Sequence, residues 1–498
     1  MIRRWHRSRL DRSKRLEFPF SPVASDLMRL ISILSATLVV AFGLGACGGD
    51  DNDAIVDTSF VYARAFNASV DSPEEIFRIG PTFLARGLPY NSITLMSAFA
   101  TFNERIDIGG FLPDGSTFEI DVIEPFSFRT NFEYTIINTG FIDAPDSYVI
   151  ERPRRKRPIN QIFTQFAHVA PTIGKFRIYL TAPDADLSAS APVASLPYMG
   201  YTASEDIVPG EYQVRVLRSS DDELIFDSGP LQLFRDEGAP AERGGHEWFF
   251  AFTEKGDATV WPIQLVLTDG NSAFEVTGTG PTSAFRVLHA DRTLGNIDAL
   301  LDGDVTDPLA SDLAYLEDSD RLAVPPADYT VTLTAAGQPD DVILEQLVIA
   351  SPGLEETLYV LDDGETTVMQ LGIDDRRPVA TAGRLGFVLG APLGEIVSLY
   401  VGNEDNVDPA EERYGSTVIR KASPPNVLGR RSLLPGTSLV SVTVWSNLDD
   451  DDPDNDMEEL VFGPLPVELM GADVKTLLLL PPEAGSSEVI DPVLIDDL

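Results

Sequence analysis

The chain has 498 residues, of which 43% are hydrophobic, and its 78 acidic and 37 basic side chains give a formal net charge of −41. Such a surface repels the phosphate backbone of nucleic acids, so we expect no DNA or RNA partner. The length predicts three or four domains.

The N-terminal region has the features of a bacterial lipoprotein signal. A basic start precedes an apolar stretch from Leu30 to Leu44, and the string LGAC ends at Cys47, the only cysteine of the chain. This is the organisation of a secretory signal peptide, and in a lipoprotein the cysteine thiol takes the lipid. We therefore predict a signal peptide at 1–46, lipidation of Cys47 and a flexible tether at 47–57. The competing interpretation is a transmembrane anchor, although a spanning helix needs about 20 apolar residues and this stretch is shorter.

The translation start is a further open point. Residues 1–27 contain the dense basic string RRWHRSRLDRSKR, whereas Met28-Arg29 begins a more ordinary signal. Either translation begins at 28, or the first 27 residues are a genuine basic leader. Residues 1–46 hold eight of the basic and three of the acidic side chains, so the processed chain has a net charge near −46.

The rest of the chain has the pattern of β-strands. Apolar residues alternate over short runs bounded by Gly, Pro and Asp, as in YQVRVL, YTVTLT and SVTVW. This alternation is typical of strands with one buried face. We expect a chain that is mostly strand, without a long amphipathic helix.

Two markers recur four times in the same order. The segments RAFNAS, QFAHVAP, RVLHAD and FVLGAP place four residues in one position, and each is followed 36 to 46 residues later by a proline turn and an alternating strand. The first set is Asn67, His168, His289 and Gly390, and the prolines are Pro113, Pro209, Pro325 and Pro435. Recurrence at such a period indicates tandem modules. We place module 1 at 58–152, module 2 at 160–269, module 3 at 282–375 and module 4 at 383–498.

Each module has about seven strands in about 100 residues, which predicts an all-β chain of tandem immunoglobulin-like antiparallel β-sandwiches. Tyr212 and Tyr329 follow the proline turns. A buried ring there, with its hydroxyl bonded back to the loop, would fix the corner. We therefore predict a structural role for both tyrosines.

The segments FAHVAP, FRIYL and VPGEY of module 2, and RVLHAD, IDALLDG and VPPADY of module 3, resemble a known bacterial family. This is the family called domain of unknown function 4397. The resemblance is weaker in module 4 and weakest in module 1. It implies a secreted or surface-anchored tandem β-module and brings no established activity. A second resemblance is to carboxypeptidase regulatory and other immunoglobulin-like stalk domains.

Gaps between the markers predict linkers at 152–158, 270–282 and 374–383. The first contains Arg154, Arg155, Lys156 and Arg157, the only strong basic cluster after the signal. It is either a solvated linker that neutralises acidic flanks or a site for acidic lipid or lipopolysaccharide phosphate.

Catalytic signatures are missing from the sequence, and we predict that the chain is not an enzyme. There is no Gly-x-Ser-x-Gly elbow and no Gly-rich phosphate loop. His168 and His289 lie in different modules, so they are expected to bond backbone carbonyls at strand ends and not to share a metal. His246 has no second histidine at the spacing of a zinc-protease helix.

One run suggests a metal. Asp450, Asp452, Asp454 and Asp456 alternate with Glu458 in the string LDDDDPDNDMEEL, and dense carboxylates suit Ca²⁺. The run lacks the glycine and the spaced glutamate of an EF-hand. A weak calcium site and a solvated acidic hairpin both remain open, and we expect no other cofactor.

These features predict a lipid-anchored cell-envelope protein that acts as a surface stalk or a binding and adhesion array. Gly48 after the cysteine favours the outer membrane, on either its periplasmic or its exterior face. The expected partners are the membrane, through the lipid, and an envelope protein or glycan. A calcium-dependent adhesin and an uncharacterised hydrolase are the alternatives. Trp248, Trp261 and Trp445 are the aromatic candidates for a binding surface, but their strand-like surroundings favour the core.

Overall fold

The structure is a computed structural model that describes residues 60–497 except 101–102, 155–160, 235–246, 256–259, 271, 281, 394–396, 403–416, 423 and 447–456. The signal peptide, Cys47, the tether and His246 lie outside the described residues. So do four of the predicted calcium ligands, namely Asp450, Asp452, Asp454 and Asp456.

Modules 1 and 2 contain the first eighteen strands. Those of module 1 are β1 (Val61–Ser69), β2 (Glu75–Ile79), β3 (Thr82–Leu88), β4 (Ser92–Ile93), β5 (Ser97–Phe99), β6 (Asn103–Phe111), β7 (Thr117–Ser127), β8 (Phe132–Phe141) and β9 (Ala144–Pro153). Those of module 2 are β10 (Ile162–His168), β11 (Phe176–Thr181), β12 (Ala194–Leu196), β13 (Glu205–Ile207), β14 (Gly210–Arg218), β15 (Leu224–Leu233), β16 (Glu247–Glu254), β17 (Ile263–Thr268) and β18 (Ala273–Val276). A short 3-10 helix spans Leu187–Ala189.

Modules 3 and 4 contain the remaining sixteen. Those of module 3 are β19 (Ser283–Ala290), β20 (Ile297–Leu301), β21 (Ala310–Leu313), β22 (Leu322–Val324), β23 (Asp328–Ala335), β24 (Gln338–Ile349), β25 (Glu355–Asp362) and β26 (Thr367–Ile373). Those of module 4 are β27 (Gly383–Leu389), β28 (Val397–Gly402), β29 (Thr417–Ala422), β30 (Asn426–Leu433), β31 (Gly436–Ser446), β32 (Met457–Leu469), β33 (Val474–Leu480) and β34 (Asp491–Asp496).

Every module is a sandwich of two sheets with one strand order. Counted along a module, the third, second, fifth and sixth strands form one sheet, which we call the outer sheet. The fourth, first, seventh and eighth strands form the inner sheet. In module 1, β4 and β5 share the fourth place, and in module 2, β18 extends the inner sheet beyond β17. The predicted all-β class and tandem sandwich architecture are confirmed.

One pairing in each inner sheet is parallel. The first strand lies parallel to the seventh, so that Asn67 faces Asn138 and His289 faces Val360, while the other pairings are antiparallel. The chain therefore closes each inner sheet by joining segments about 70 to 90 residues apart, as in the pairings of Ala65 with Ile136 and of Arg384 with Val474.

Each sandwich has its own apolar core. In module 2, Phe176, Val214 and Val216 of the outer sheet pack against Phe250 and Leu265 of the inner sheet. Modules 1, 3 and 4 have equivalent clusters between their sheets. The alternating strands of the sequence are the outer-sheet strands, because only one face of that sheet is buried.

The proline-turn marker of module 1 corresponds to a different strand from those of the other modules. Pro209, Pro325 and Pro435 precede the fifth strands β14, β23 and β31, whereas Pro113 lies in the hairpin between β6 and β7. The alternating segment after Pro113 is thus the sixth strand. The predicted equivalence of Pro113 with the other prolines is wrong, because the fifth strand of module 1 begins earlier, at Asn103.

The two tyrosine corners form as predicted. The hydroxyl of Tyr212 donates to the carbonyl oxygen of Val208 at 2.7 Å, and that of Tyr329 donates to Pro325 O at 2.9 Å. Both rings pack against their module's core. Each ring therefore fixes the turn that leads into a fifth strand.

Candidate functional site

The positions of the predicted site residues are only partly described. Lipidation of Cys47 stays a prediction. Glu458 belongs to β32, where the structure describes its backbone and not its side chain. Within the described residues, no group of three or more His, Cys, Asp and Glu side chains could hold a metal ion. In the same part of the chain, no helix has the length and apolarity needed to cross a bilayer.

The described histidines bind their own backbone, as predicted. His168 Nε2 lies 3.0 Å from Ile173 O and 3.2 Å from Gly174 O, and its Nδ1 accepts from the Ala170 amide at 3.3 Å. His289 repeats this arrangement, with Nε2 3.1 Å from Gly295 O and Nδ1 accepting from the Asp291 amide at 3.4 Å. Each ring joins the end of the first strand to the loop that follows.

Asn67 makes the same two kinds of bond in module 1. Its Nδ2 donates to Pro73 O at 3.3 Å and Leu88 O at 3.0 Å, and its Oδ1 accepts from the Ser69 amide at 3.2 Å. As in both histidines, the side chain accepts from the backbone amide two residues on and bonds the carbonyl oxygen six residues on, so an amide replaces an imidazole in the same role. We call Asn67, His168 and His289 the strand-end clamps.

Gly390 is not the fourth strand-end clamp. A Cβ added there would meet Leu480 and Leu361, which belong to the contact between modules 3 and 4. The clamps lie on the opposite face, toward the core of their own module. The predicted equivalence is therefore wrong for Gly390, since a shift of one residue in a strand reverses the face.

Burial keeps both clamp histidines neutral. Desolvation lowers the pKa of His168 to about 4, against a smaller opposing effect of its carbonyl partners. Burial also lowers the pKa of His289. A neutral ring whose Nε2 donates and whose Nδ1 accepts satisfies the backbone groups around it, so these histidines have a structural role.

The inner sheets of modules 1 and 2 pack face to face. Phe66 and Ile137 of module 1 contact Phe249, Ala251 and Val266 of module 2 in one apolar cluster. The inner sheets of modules 3 and 4 pack in the same way, through Leu288, Tyr359 and Leu361 against Leu478 and Leu480. The inner sheets are therefore buried on both faces, which explains why β10, β19 and β27 are buried at every residue.

A buried ionic cluster continues the contact between modules 1 and 2. Arg64 and Arg152 of module 1 bind Glu247 of module 2, and Arg152 also binds Glu133. Arg64 Nε donates to Thr135 Oγ1 at 2.9 Å. Desolvation, followed by repulsion from Arg152, lowers the pKa of Arg64 to about 9. Because Arg152 is in β9 and buried, the predicted linker at 152–158 begins inside the module.

An equivalent cluster lies between modules 3 and 4. Arg286 Nε donates to Thr357 Oγ1 at 2.8 Å, which repeats the Arg64 contact with the same separation of 71 residues. Arg286 also binds Asp497 of module 4, and Arg430 Nη2 lies 2.9 Å from the same carboxylate. Both module pairs are thus held by an apolar cluster and by arginines that bridge to the partner module's carboxylates.

Two buried glutamates lie apart from these ion pairs. Desolvation raises the pKa of Glu75 to about 8, partly offset by the Asn138 amide, which donates to Oε1 at 2.6 Å. Desolvation, together with the charge of Asp374, raises the pKa of Glu356 to about 7. Both carboxyls therefore titrate near neutral pH.

The segment between modules 3 and 4 binds module 1. Arg377 Nη1 donates to Ser72 O at 2.8 Å and to Val70 O at 3.2 Å, and its guanidinium lies 4.9 Å from the ring centroid of Tyr90. The Ala380 amide donates to Asp71 O at 2.9 Å. The predicted linker at 374–383 is thus an ordered connector that joins the two module pairs.

The segment between modules 2 and 3 packs on Trp261. A Cβ at Gly280 would lie 2.1 Å from the indole, and one at Gly278 would lie 2.4 Å from it, so glycine permits the close approach. A recess beside Trp261, lined by Lys255, Thr277 and other residues, has a cavity volume of about 10 Å³, which is room for about one water molecule. Ligand pockets usually measure about 300–1,000 Å³. The predicted linker at 270–282 loses its first half to β18.

The predicted aromatic candidates lie mostly inward. Trp248 is buried in the core of module 2, and Trp261 packs against that core from the loop before β17. Trp445 lies in β31, where its side chain is outside the described residues.

Comparisons with known proteins do not identify a family for this chain. No family model and no curated protein matches the chain. Among solved structures, it is similar to a leucine-rich repeat protein from Bacteroides thetaiotaomicron, with 14% identity, 39% of this chain covered and a TM-score of 0.12. This match spans only 25% of that protein. The Bacillus anthracis TIE protein matches over 91% of this chain and 78% of its own, with 10% identity and a TM-score of 0.13. These scores carry no argument about fold or function.

Proposed function

We propose that the chain is a lipid-anchored, non-catalytic protein of the cell envelope, in which four β-sandwiches form a rigid platform for binding an envelope protein or glycan. The face-to-face packing of the inner sheets carries this proposal. Sheets buried on both sides bind the modules of a pair more firmly than a flexible linker would, since obligate interfaces resemble the core of a domain.

The buried charges support the platform role. Arg64, Arg286 and the carboxylates they bind bridge modules, so these ionisable groups serve the assembly. Separating the modules would leave arginines in a partly apolar surface without their partners, which is costly. The connector around Arg377 adds contacts between the two pairs. These contacts favour a fixed arrangement of the four modules over a chain of modules that move independently.

The anchor rests on the sequence around Cys47. Intact-mass spectrometry of the membrane-extracted protein should find an acylated cysteine at the N-terminus. Cys47→Ser should abolish acylation and release the protein into the soluble fraction. An unmodified thiol on the exported wild-type protein would contradict the anchor.

The platform is tested separately, on the purified chain in detergent. Hydrogen exchange should show slow exchange in β1, β8, β10 and β16, because the inner strands are covered on both faces. Exchange as fast as in the exposed edge strands would refute paired packing. A screen against glycans and envelope proteins should identify a ligand, whereas turnover of a hydrolase substrate would contradict the non-catalytic role.

A further inference from the structure

The sixth strand of each module is a free edge of the outer sheet. Within the described residues, β7, β15, β24 and β32 each pair with a fifth strand on one side and with no strand on the other. A free edge presents unpaired N–H and C=O groups, to which another strand can add.

Three of these edges carry proline inside the strand. β7 contains Pro125, β15 contains Pro230, and β32 contains Pro464 and Pro466. Proline has no N–H and interrupts the addition of a further strand. These edges are therefore protected against pairing.

The edge of module 3 lacks this protection. Pro339 is only the second of the twelve residues of β24. The register shows which residue of β24 stands where β15 has its proline. The equivalent corner residues Tyr212 and Tyr329 pair with Leu231 and Val348. The residue before Leu231 is Pro230, and the residue before Val348 is Leu347, so Leu347 occupies the proline position. β24 is thus regularly paired and free of proline from Leu344 to Ile349, the part that corresponds to the interrupted segment of β15, and its register shifts lie before Leu344.

The same strand exposes large apolar side chains. Leu347, Ile349 and Val342 are 63%, 58% and 49% exposed. Among the described residues of the other sixth strands, only Leu224 and Leu460 are exposed large apolar side chains. An edge segment with exposed apolar side chains and no interior proline, as at 344–349, can receive another strand.

Charge selects the partner. Residues 282–375 contain 20 acidic and three basic side chains, and the three arginines are held in ion pairs with carboxylates. β24 itself exposes Asp340, Asp341 and Glu345. A second copy of the chain would bring like charges together along the edge, whereas a basic segment would pair with them.

We propose that β24 is a docking edge for an extended basic segment of a partner protein, in which apolar side chains alternate with Lys or Arg. Backbone hydrogen bonds extend the outer sheet of module 3, the apolar side chains pack on Leu347 and Ile349, and the cations pair with the acidic side chains. The inference deepens the proposed function and rests on it, because it names a partner class for the platform.

The test uses purified full-length protein in detergent and a fluorescent ten-residue peptide of alternating valine and lysine. We expect saturable binding that weakens with salt, and new amide protection confined to residues 338–349. A peptide of alternating valine and glutamate should not bind. If the peptide binds to protein that carries no acyl group, the docking edge stands even though the lipid anchor of the proposed function fails. Failure of the docking edge and failure of the anchor are therefore distinguishable.

Variants locate the site. Leu347→Pro introduces the residue found in β15 and should weaken binding by at least about tenfold. Ile349→Lys, which leaves the backbone donors in place, should also weaken it. Leu494→Thr removes an exposed leucine from β34 in module 4 and should change nothing. Circular dichroism checks that each variant is folded.

Four results would overturn the proposal. The first is absence of peptide binding, and the second is protection at a strand other than β24. The third is self-association that depends on Leu347, which would make a second copy the occupant. Unchanged affinity in folded Leu347→Pro and Ile349→Lys would equally exclude the edge.

Discussion

Replacing His168 by asparagine should preserve the clamp and remove its pH dependence. The side chain would become that of Asn67, which holds the equivalent loop of module 1. The pKa of His168 is about 4 in the folded protein and 6.5 in the unfolded reference, so its stabilising contribution is present above pH 6.5 and lost as the pH falls through 4. The shift in pKa contributes roughly 3 kcal/mol to the free energy of unfolding, and about 2 kcal/mol of this is lost between pH 7 and 5. His168→Asn should lack that loss.

Urea unfolding followed by tryptophan fluorescence measures this effect, because Trp248 and Trp261 both pack in module 2. The difference between wild type and His168→Asn isolates the ring from the many carboxylates that titrate in the same range. His168→Ala is the contrasting variant, and it should lose roughly 2–4 kcal/mol at pH 7, since it removes the ring and leaves the backbone partners unsatisfied. An NMR titration that places the native pKa of His168 near 6.5 would refute the reasoning.

Four further substitutions test other contacts. Glu247→Gln should destabilise the contact between modules 1 and 2 by roughly 3–5 kcal/mol, measured by denaturation, because it leaves the buried Arg64 without its carboxylate partner and Arg152 with Glu133 alone; a change below about 1 kcal/mol would argue against this. Arg377→Met should speed hydrogen exchange at residues 70–72, and unchanged exchange would contradict its role as a connector. Glu75→Gln should stabilise the chain increasingly as the pH rises from 4.5 through 8, by up to roughly 4–5 kcal/mol, because the ionised carboxylate is disfavoured in the folded state; parallel pH profiles for the two proteins would be the contrary result. Gly280→Ala should cost about 1–3 kcal/mol and red-shift the emission of Trp261, since a methyl group has no room beside the indole; an unshifted spectrum would speak against the close approach.

The internal repetition could be predicted from the sequence because its marker residues have a fixed local geometry. A tyrosine corner requires an aromatic ring soon after a turn, and both Tyr212 and Tyr329 lie there. The clamp at His168 and His289 requires a side chain that both donates and accepts. These local requirements leave a sequence signal, and that signal predicted the module type.

The sequence was a poorer guide to which face of a strand a residue occupies. Gly390 resembles a clamp position in a short alignment, yet it lies on the other side of its strand. Pro113 follows a similar spacing, yet it belongs to the next hairpin. In both cases spacing along the chain did not fix register, because turns of different length shift a strand by one residue or by one element.

The packing of modules in pairs gives only a weak signal in the sequence. An inner strand covered on both faces is apolar throughout, which periodicity alone does not distinguish from a buried strand of a single domain. The signal that could have indicated it is the arginine inside β1 and β19, because a charged residue in a strand buried on both faces needs a charged partner. That partner is far away in sequence, as with Arg64 and Glu247, so it could not be named from the sequence.

The parallel joining of first and seventh strands sets the order in which the protein can assemble. A module cannot complete its inner sheet until about 70 to 90 residues beyond its first strand have been made, and such long closures slow folding. Once β8 has joined β1, Phe66 and Ile137 still face solvent until module 2 arrives to cover them. The incompletely folded chain therefore exposes an apolar surface twice, once for each module pair, and such surfaces are prone to aggregation.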